Sequence, residues 1–148
     1  MANSEKVIAA LSKTLAEEYI LMLKTQNYHW NVEGPLFFSL HSLFETHYTF
    51  LATKVDEIAE IIRARGVKAP GSFAEFKKLS AIEEASAESI TANQMIDILT
   101  KDHVALAEQL KSFFEAAGAA GDNGSASVFD SLIAFHEKAA WMIRSHKL

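Results

Sequence analysis

Tyr28-His29-Trp30-Asn31-Val32-Glu33-Gly34-Pro35-Leu36-Phe37-Phe38-Ser39-Leu40-His41 is the stretch that decides how this chain of 148 residues folds. Its Gly34-Pro35 step breaks the backbone between two long segments of helical periodicity, because proline cannot continue a hydrogen-bonded helix and glycine accepts turn conformations. Upstream, Val7, Ile8, Leu11, Leu15, Tyr19, Met22 and Leu23 recur at steps of three to four. They predict a helix from about Ser4 to Val32. Downstream, Leu40, Leu43, Phe44, Tyr48, Leu51, Val55, Ile58, Ala59 and Ile62 predict a second helix from about Leu36 to Arg65. The break then makes a helical hairpin, which can place His29 near His41.

Two further breaks punctuate the chain, at Gly66 to Gly71 and at Gly118 to Gly124. A short helix around Ser72–Lys77 is expected to interrupt the long connection. A third helix is expected from near Thr91, a plausible N-cap, to near Ala117, and a fourth from about Ser125 to Ser145. No stretch shows strand-like alternation. The expectation is an all-α single domain over residues 1–148, with a long crossover carrying a short helix between the second and third long helices. Ile20, Leu21, Phe37, Phe38 and Phe50 lie off the main apolar stripes. Helices this apolar are buried on more than one side, which fits a helix pair packed against a partner subunit.

Hydrophobic residues make up 49% and charged residues 22%, a globular balance. There is no cysteine, which excludes disulfides, thiolate zinc sites and cysteine nucleophiles. Any metal must be held by imidazole and carboxylate, a set that suits iron, manganese or zinc. The N-terminus lacks a basic region followed by an apolar one, and no uncharged stretch is long enough to span a membrane, so a cytoplasmic protein is expected. The formal net charge of −5 disfavours general attraction to nucleic acid.

The candidate metal ligands are His29, His41, Glu45, Asp56 and Glu60. His41 and Glu45 are one helical turn apart, as are Asp56 and Glu60. Asp56, however, lies 15 residues beyond His41. On one helix that is about 22 Å, far beyond two metal–ligand bonds. If these groups share an ion, a second copy of the same helix must run antiparallel and bring Asp56 and Glu60. Two-fold dimers are the commonest symmetric assembly, and each would hold two such sites. Singly, the groups have ordinary readings: an interior histidine for His29, a solvated helix face for Asp56 and Glu60. Their joint arrangement is what points to a metal. His47, two residues after Glu45, is turned about 200° away and reads as structural or surface. His103, His136 and His146 fall in no carboxylate pattern.

The quoted run, with Val55-Asp56-Glu57-Ile58-Ala59-Glu60 at the matching spacing and His136-Glu137-Lys138-Ala139-Ala140-Trp141-Met142 near the end, resembles the Dps family, the mini-ferritins named as DNA-binding proteins from starved cells. The resemblance covers nearly the whole chain and implies a ferritin-like four-helix bundle. It implies that His29 and His41 come from one subunit, and Asp56 and Glu60 from its two-fold partner. Glu45 stands where the family commonly has Asp, with an arm one methylene longer. Trp30 stands where the family places a tryptophan beside the iron, either to trap an oxidising equivalent or to pack the site. Asp122 and Asp130 fall in the region that lines acidic iron-entry pores, Asp130 being the better positional match. No Glu is followed by His three residues on, so the pattern of larger di-iron bundles is absent.

The activity this resemblance implies is a ferroxidase. Fe2+ is oxidised, preferentially by hydrogen peroxide and less efficiently by dioxygen, and Fe3+ mineral is stored inside a shell of twelve subunits. Such a shell protects against oxidative stress. Zinc or manganese are substitutes the same ligands would accept. The alternative is a DNA-compacting stress protein, associated with the nucleoid, whose iron chemistry is secondary. The first ten residues carry a single Lys, Lys6, and the C-terminus only Arg144, His146 and Lys147. Phosphate attraction scales with the number of basic contacts, so DNA binding is expected to be weak or absent.

Overall fold

Gly34 adopts a φ of +98°, a left-handed conformation that side chains other than glycine's rarely accept. The N–H of Phe37 closes the turn on the Gly34 carbonyl at 3.0 Å. This turn joins α1 (Asn3–Asn31) to α2 (Phe37–Ala64). The computed structural model describes residues 2–148, and its remaining helices are α3 (Phe73–Leu79), α4 (Ala92–Ala119) and α5 (Asn123–Arg144). There is no strand among the described residues.

The sequence-derived boundaries hold to within a few residues. Thr91 caps α4 in a reciprocal capping box, accepting from the Gln94 N–H at 3.1 Å while the Gln94 side chain accepts from the Thr91 N–H at 2.7 Å. Ser72 caps α3 and Asp122 caps α5, so both helices begin slightly earlier or later than periodicity alone suggests.

The four long helices pack as two hairpins, α1 with α2 and α4 with α5, and α1 also packs against α4. Leu11, Leu21, Phe44, Leu51, Ile96 and Phe129 are among the fully buried side chains between them. Burying each contributes about 1.5–3 kcal/mol. The crossover lies along α1 and is tied to it at several points. Glu17 accepts from the Ala81 N–H at 2.9 Å, buried Lys24 donates to the Glu83 carbonyl at 2.9 Å, and Phe76 packs against Tyr19 with tilted rings whose centres are 4.9 Å apart. Lys24 also pairs with Asp102 of α4 at 2.8 Å, so one cation links α1, α4 and the crossover. No helix among the described residues is long and apolar enough to cross a membrane.

Candidate metal centre

The hairpin brings the last turn of α1 against the first turns of α2, and with them His29 and His41. Their rings stack at 3.8 Å with 10° between planes. Nδ1 of His29 lies 2.7 Å from the His41 carbonyl, and Nδ1 of His41 lies 2.7 Å from the His29 carbonyl. A carbonyl only accepts, so each Nδ1 carries a proton and, in the neutral rings, each Nε2 keeps a bare lone pair. This is the support that metal-ligating imidazoles ordinarily receive on their second nitrogen. Here each ligand candidate supplies it for the other. Tyr48 meets the edge of the His29 ring, and Phe37 stacks on the far face of His41.

Glu45 projects from α2 one turn after His41, exposed, with Oε1 3.9 Å from His29 Nε2. His29, His41 and Glu45 therefore gather at one place. Asp56 and Glu60 do not join them. Because α2 is unbroken from Phe37 to Ala64, they lie farther along the same rod, on an exposed face. Glu60 is held above the ordinary carboxyl range, first by a hydrogen bond with Asp56 and then by its charge. Two carboxylates that share a proton are a pair that a cation can relieve. Among the described residues of one chain, no three His, Asp, Glu or Cys side chains stand in metal-holding geometry.

Within one subunit Trp30 is 60% exposed. Phe38, after the hairpin turn, is 79% exposed. Asp122 accepts from the Ser125 N–H at 3.0 Å and pairs with Arg65 at 2.5 Å, which lowers its pKa to about 2. Asp130 is exposed on α5.

Sequence reasoning missed one cluster. His136, which sequence pattern leaves without a carboxylate, has Nε2 2.6 Å from Oε2 of Glu18, 118 residues away on α1. Its Nδ1 faces Nδ1 of His103 at 2.7 Å, and His47 meets the His103 ring edge-on. All four are buried in the bundle core, so His47 is structural rather than superficial. Burial lowers the His47 pKa to about 4 and the His103 pKa well below the usual range, with charge on His136 adding to both effects. A signal existed. Glu18, His47, His103 and His136 each occupy a position where the apolar stripe of their helix calls for a hydrophobic residue, as in Phe44-x-x-His47-x-x-x-Leu51.

Comparison with known proteins gives a consistent set of relatives. The family described as Ferritin-like domain matches residues 8–147. DNA protection during starvation protein 2 of Bacillus anthracis is 38% identical over 142 residues, 96% of this chain and 97% of that protein. The crystal structure of Dps from Staphylococcus aureus superposes with a TM-score of 0.94 at 35% identity, covering 99% of this chain and 97% of the other. The Dps protein of Vibrio cholerae, described as a member of a broad superfamily of ferritin-like diiron-carboxylate proteins, gives 0.89 at 34% identity, covering 97% and 89%.

Proposed function

The chain belongs to the Dps group of the ferritin-like family, and on that premise we propose that it is an iron-sequestering ferroxidase whose sites lie between two-fold-related subunits. The observation that carries this reading is the reciprocal bonding of His29 and His41, which leaves both Nε2 lone pairs free, that of His29 3.9 Å from Glu45 Oε1. An antiparallel partner supplies Asp56 and Glu60 to the same place. The exposed Trp30, Phe37 and Phe38 are the apolar surface that this partner covers. The diiron-carboxylate description of the Vibrio cholerae relative supports iron as the metal.

The substrate is Fe2+. Carboxylates favour Fe3+ over Fe2+ because attraction to anionic ligands grows with metal charge. Each peroxide takes one electron from each of two Fe2+ ions and, with two protons, becomes two waters. Removing both reactants together prevents hydroxyl-radical formation. The Fe3+ then hydrolyses and accumulates as mineral inside a shell of twelve subunits built from two-fold dimers. Asp130, exposed on α5, is the better pore carboxylate. The charge of Asp122 is already offset by Arg65. Zinc or manganese would fit the same donors.

The second reading, a DNA-compacting protein, draws on the names of the relatives. The C-terminal basic tip gives it little support, since Lys147 pairs with Asp97 at 2.6 Å. The test of the leading reading is stopped-flow oxidation of Fe2+, with anaerobic peroxide and with air alone. Wild type and an Asp56→Ala, Glu60→Ala double variant are compared. Fast peroxide-dependent oxidation in wild type and its loss in the variant are the expected results. Equal slow rates would overturn the ferroxidase reading.

A further inference from the structure

A groove of about 600 Å³ runs between α2 and α5. Lys54 Nζ donates to Ser131 Oγ at 3.1 Å, and one turn along, the rings of Phe50 and Phe135 stack with centres 4.4 Å apart. The two helices are therefore antiparallel here. The same register sets His47 opposite Lys138 and Leu43 opposite Met142, all of which line the groove. From Leu43 to Lys54 it is about 16 Å long. Its volume falls in the range of small-molecule sites, about 300–1,000 Å³, and like them it joins a mostly apolar wall to a few polar groups.

The groove lies on the other side of α2 from the candidate metal ligands. At about 100° per residue, its α2 residues centre roughly 150° around the helix from His41, Glu45, Asp56 and Glu60. A two-fold partner that meets those ligands leaves the groove open. The chain has a formal net charge of −5, yet the lining holds two lysines and no carboxylate. Lys54 is engaged by Glu57 at 3.0 Å and lies over the Phe50 ring, 5.5 Å from its centre. Lys138 is exposed and has no ion pair among the described residues. His47, 4% exposed, is the buried polar side chain of the wall, and its Nδ1 has no hydrogen-bond partner among the described residues. Native proteins rarely leave such an atom unpaired. Lys54, His47 and Lys138 thus make one part of the groove polar and cationic, while Leu43 and Met142 make the end beyond them hydrocarbon. An anionic head with an apolar tail matches that order. A wholly apolar occupant leaves the cations without a partner, and a cationic one is repelled by them.

We propose that this groove binds a medium-chain aliphatic carboxylate, one per subunit, with its head between Lys54 and Lys138 beside the Phe50–Phe135 pair and its tail along Leu43 and Met142.

The test titrates decanoate, below its micelle concentration, into the assembled protein by calorimetry. The expected result is one saturable site per subunit. Octanoate should bind about tenfold more weakly, since each buried methylene is worth about fourfold in affinity. Decyltrimethylammonium, with the same tail and a cationic head, should not displace decanoate. Lys54→Gln and Lys138→Gln should each weaken decanoate by about threefold and together by about tenfold, as partly exposed charges do. Ala134→Trp, which fills the groove from an exposed position, should abolish binding. If that bulky change disrupts assembly, the two lysine variants still decide the matter. Absence of a saturable site overturns the proposal, including the case in which another copy of the chain occupies the groove in the shell. Binding that the cationic analogue displaces equally well, or that the lysine substitutions leave unchanged, also overturns it. None of these variants removes an interface donor, so Fe2+ oxidation rates read the ferroxidase separately and either reading can fail alone.

Discussion

His29 and His41 hydrogen-bond to each other's main-chain carbonyl, each at 2.7 Å, with their rings stacked between. Each ring is thus oriented by the residue that carries the other. Substituting either one removes a lone pair and also the stacking surface of its neighbour. His29→Ala and His41→Ala are each expected to lower kcat/KM for Fe2+ by about 10–100-fold. The double variant should cost less than the product of the two factors, because the pair acts as a unit. Stopped-flow oxidation measures all three, and a fully multiplicative loss would show that the two rings act independently.

Complementation decides whether the site is shared between subunits. On the proposed function, a subunit carrying His29→Ala and His41→Ala is expected to be inactive, and so is one carrying Asp56→Ala and Glu60→Ala. Co-assembled after unfolding and refolding in equal amounts, half of the dimers are mixed, and each mixed dimer regains one of its two sites. The expected oxidation rate is about one quarter of wild type. A site built within one subunit would recover nothing.

Glu60 keeps its proton to higher pH than an ordinary carboxyl because Asp56 shares it. A metal ion bound at Glu60 would have to displace that proton, so the expected affinity falls on acidification, beginning above the usual carboxylate range. Asp56→Asn removes the second charge and should move the fall to lower pH, besides weakening binding overall. Zn2+ affinity measured by competition across pH gives the profile. An unchanged midpoint in the variant would mean that the two carboxylates titrate independently.

His47 has its pKa lowered to about 4, first by burial and then by charge on His136; His103 also packs against it, and Glu18 lies behind His136. The folded value lies below the unfolded value of about 6.5, so the folded state excludes a proton. Its contribution to stability is complete above about pH 6.5 and declines as pH falls toward 4, by on the order of 3 kcal/mol. Metal-free His47→Phe should lose stability less steeply over that range. Urea unfolding at about pH 7 and pH 5 measures the difference, and parallel pH dependences in the two proteins would contradict it.

Asp122 caps α5 and pairs with Arg65, which holds its carboxyl near 2. The folded pKa is again below the unfolded one. This contribution is therefore complete above about pH 4 and is lost only as pH falls toward 2. Asp122→Ala should cost about 1–2 kcal/mol in thermal unfolding, mostly through the cap, since a partly exposed ion pair adds little. Asp122→Asn keeps a capping oxygen and should cost less. Equal losses in the two variants would place the energy in the charge instead.

The helices and their order were legible in the sequence because they rest on local physics. Apolar residues at steps of three to four set the long helices, Gly34-Pro35 set the hairpin, and Thr91 with Gln94 set a cap, all within a few residues of one another. The nearness of His29 and His41 followed from the same hairpin. The separation of Asp56 from them followed from the rise of an unbroken helix. Tertiary structure alone decided how the imidazoles are oriented, because a ring's tautomer depends on which carbonyl it meets. It also decided that Glu18 reaches His136, 118 residues away, since no local pattern encodes which stripe faces which across a bundle. Periodicity could mark Glu18, His47, His103 and His136 as polar residues in apolar positions. Only the packing of α1, α2, α4 and α5 brought the four together.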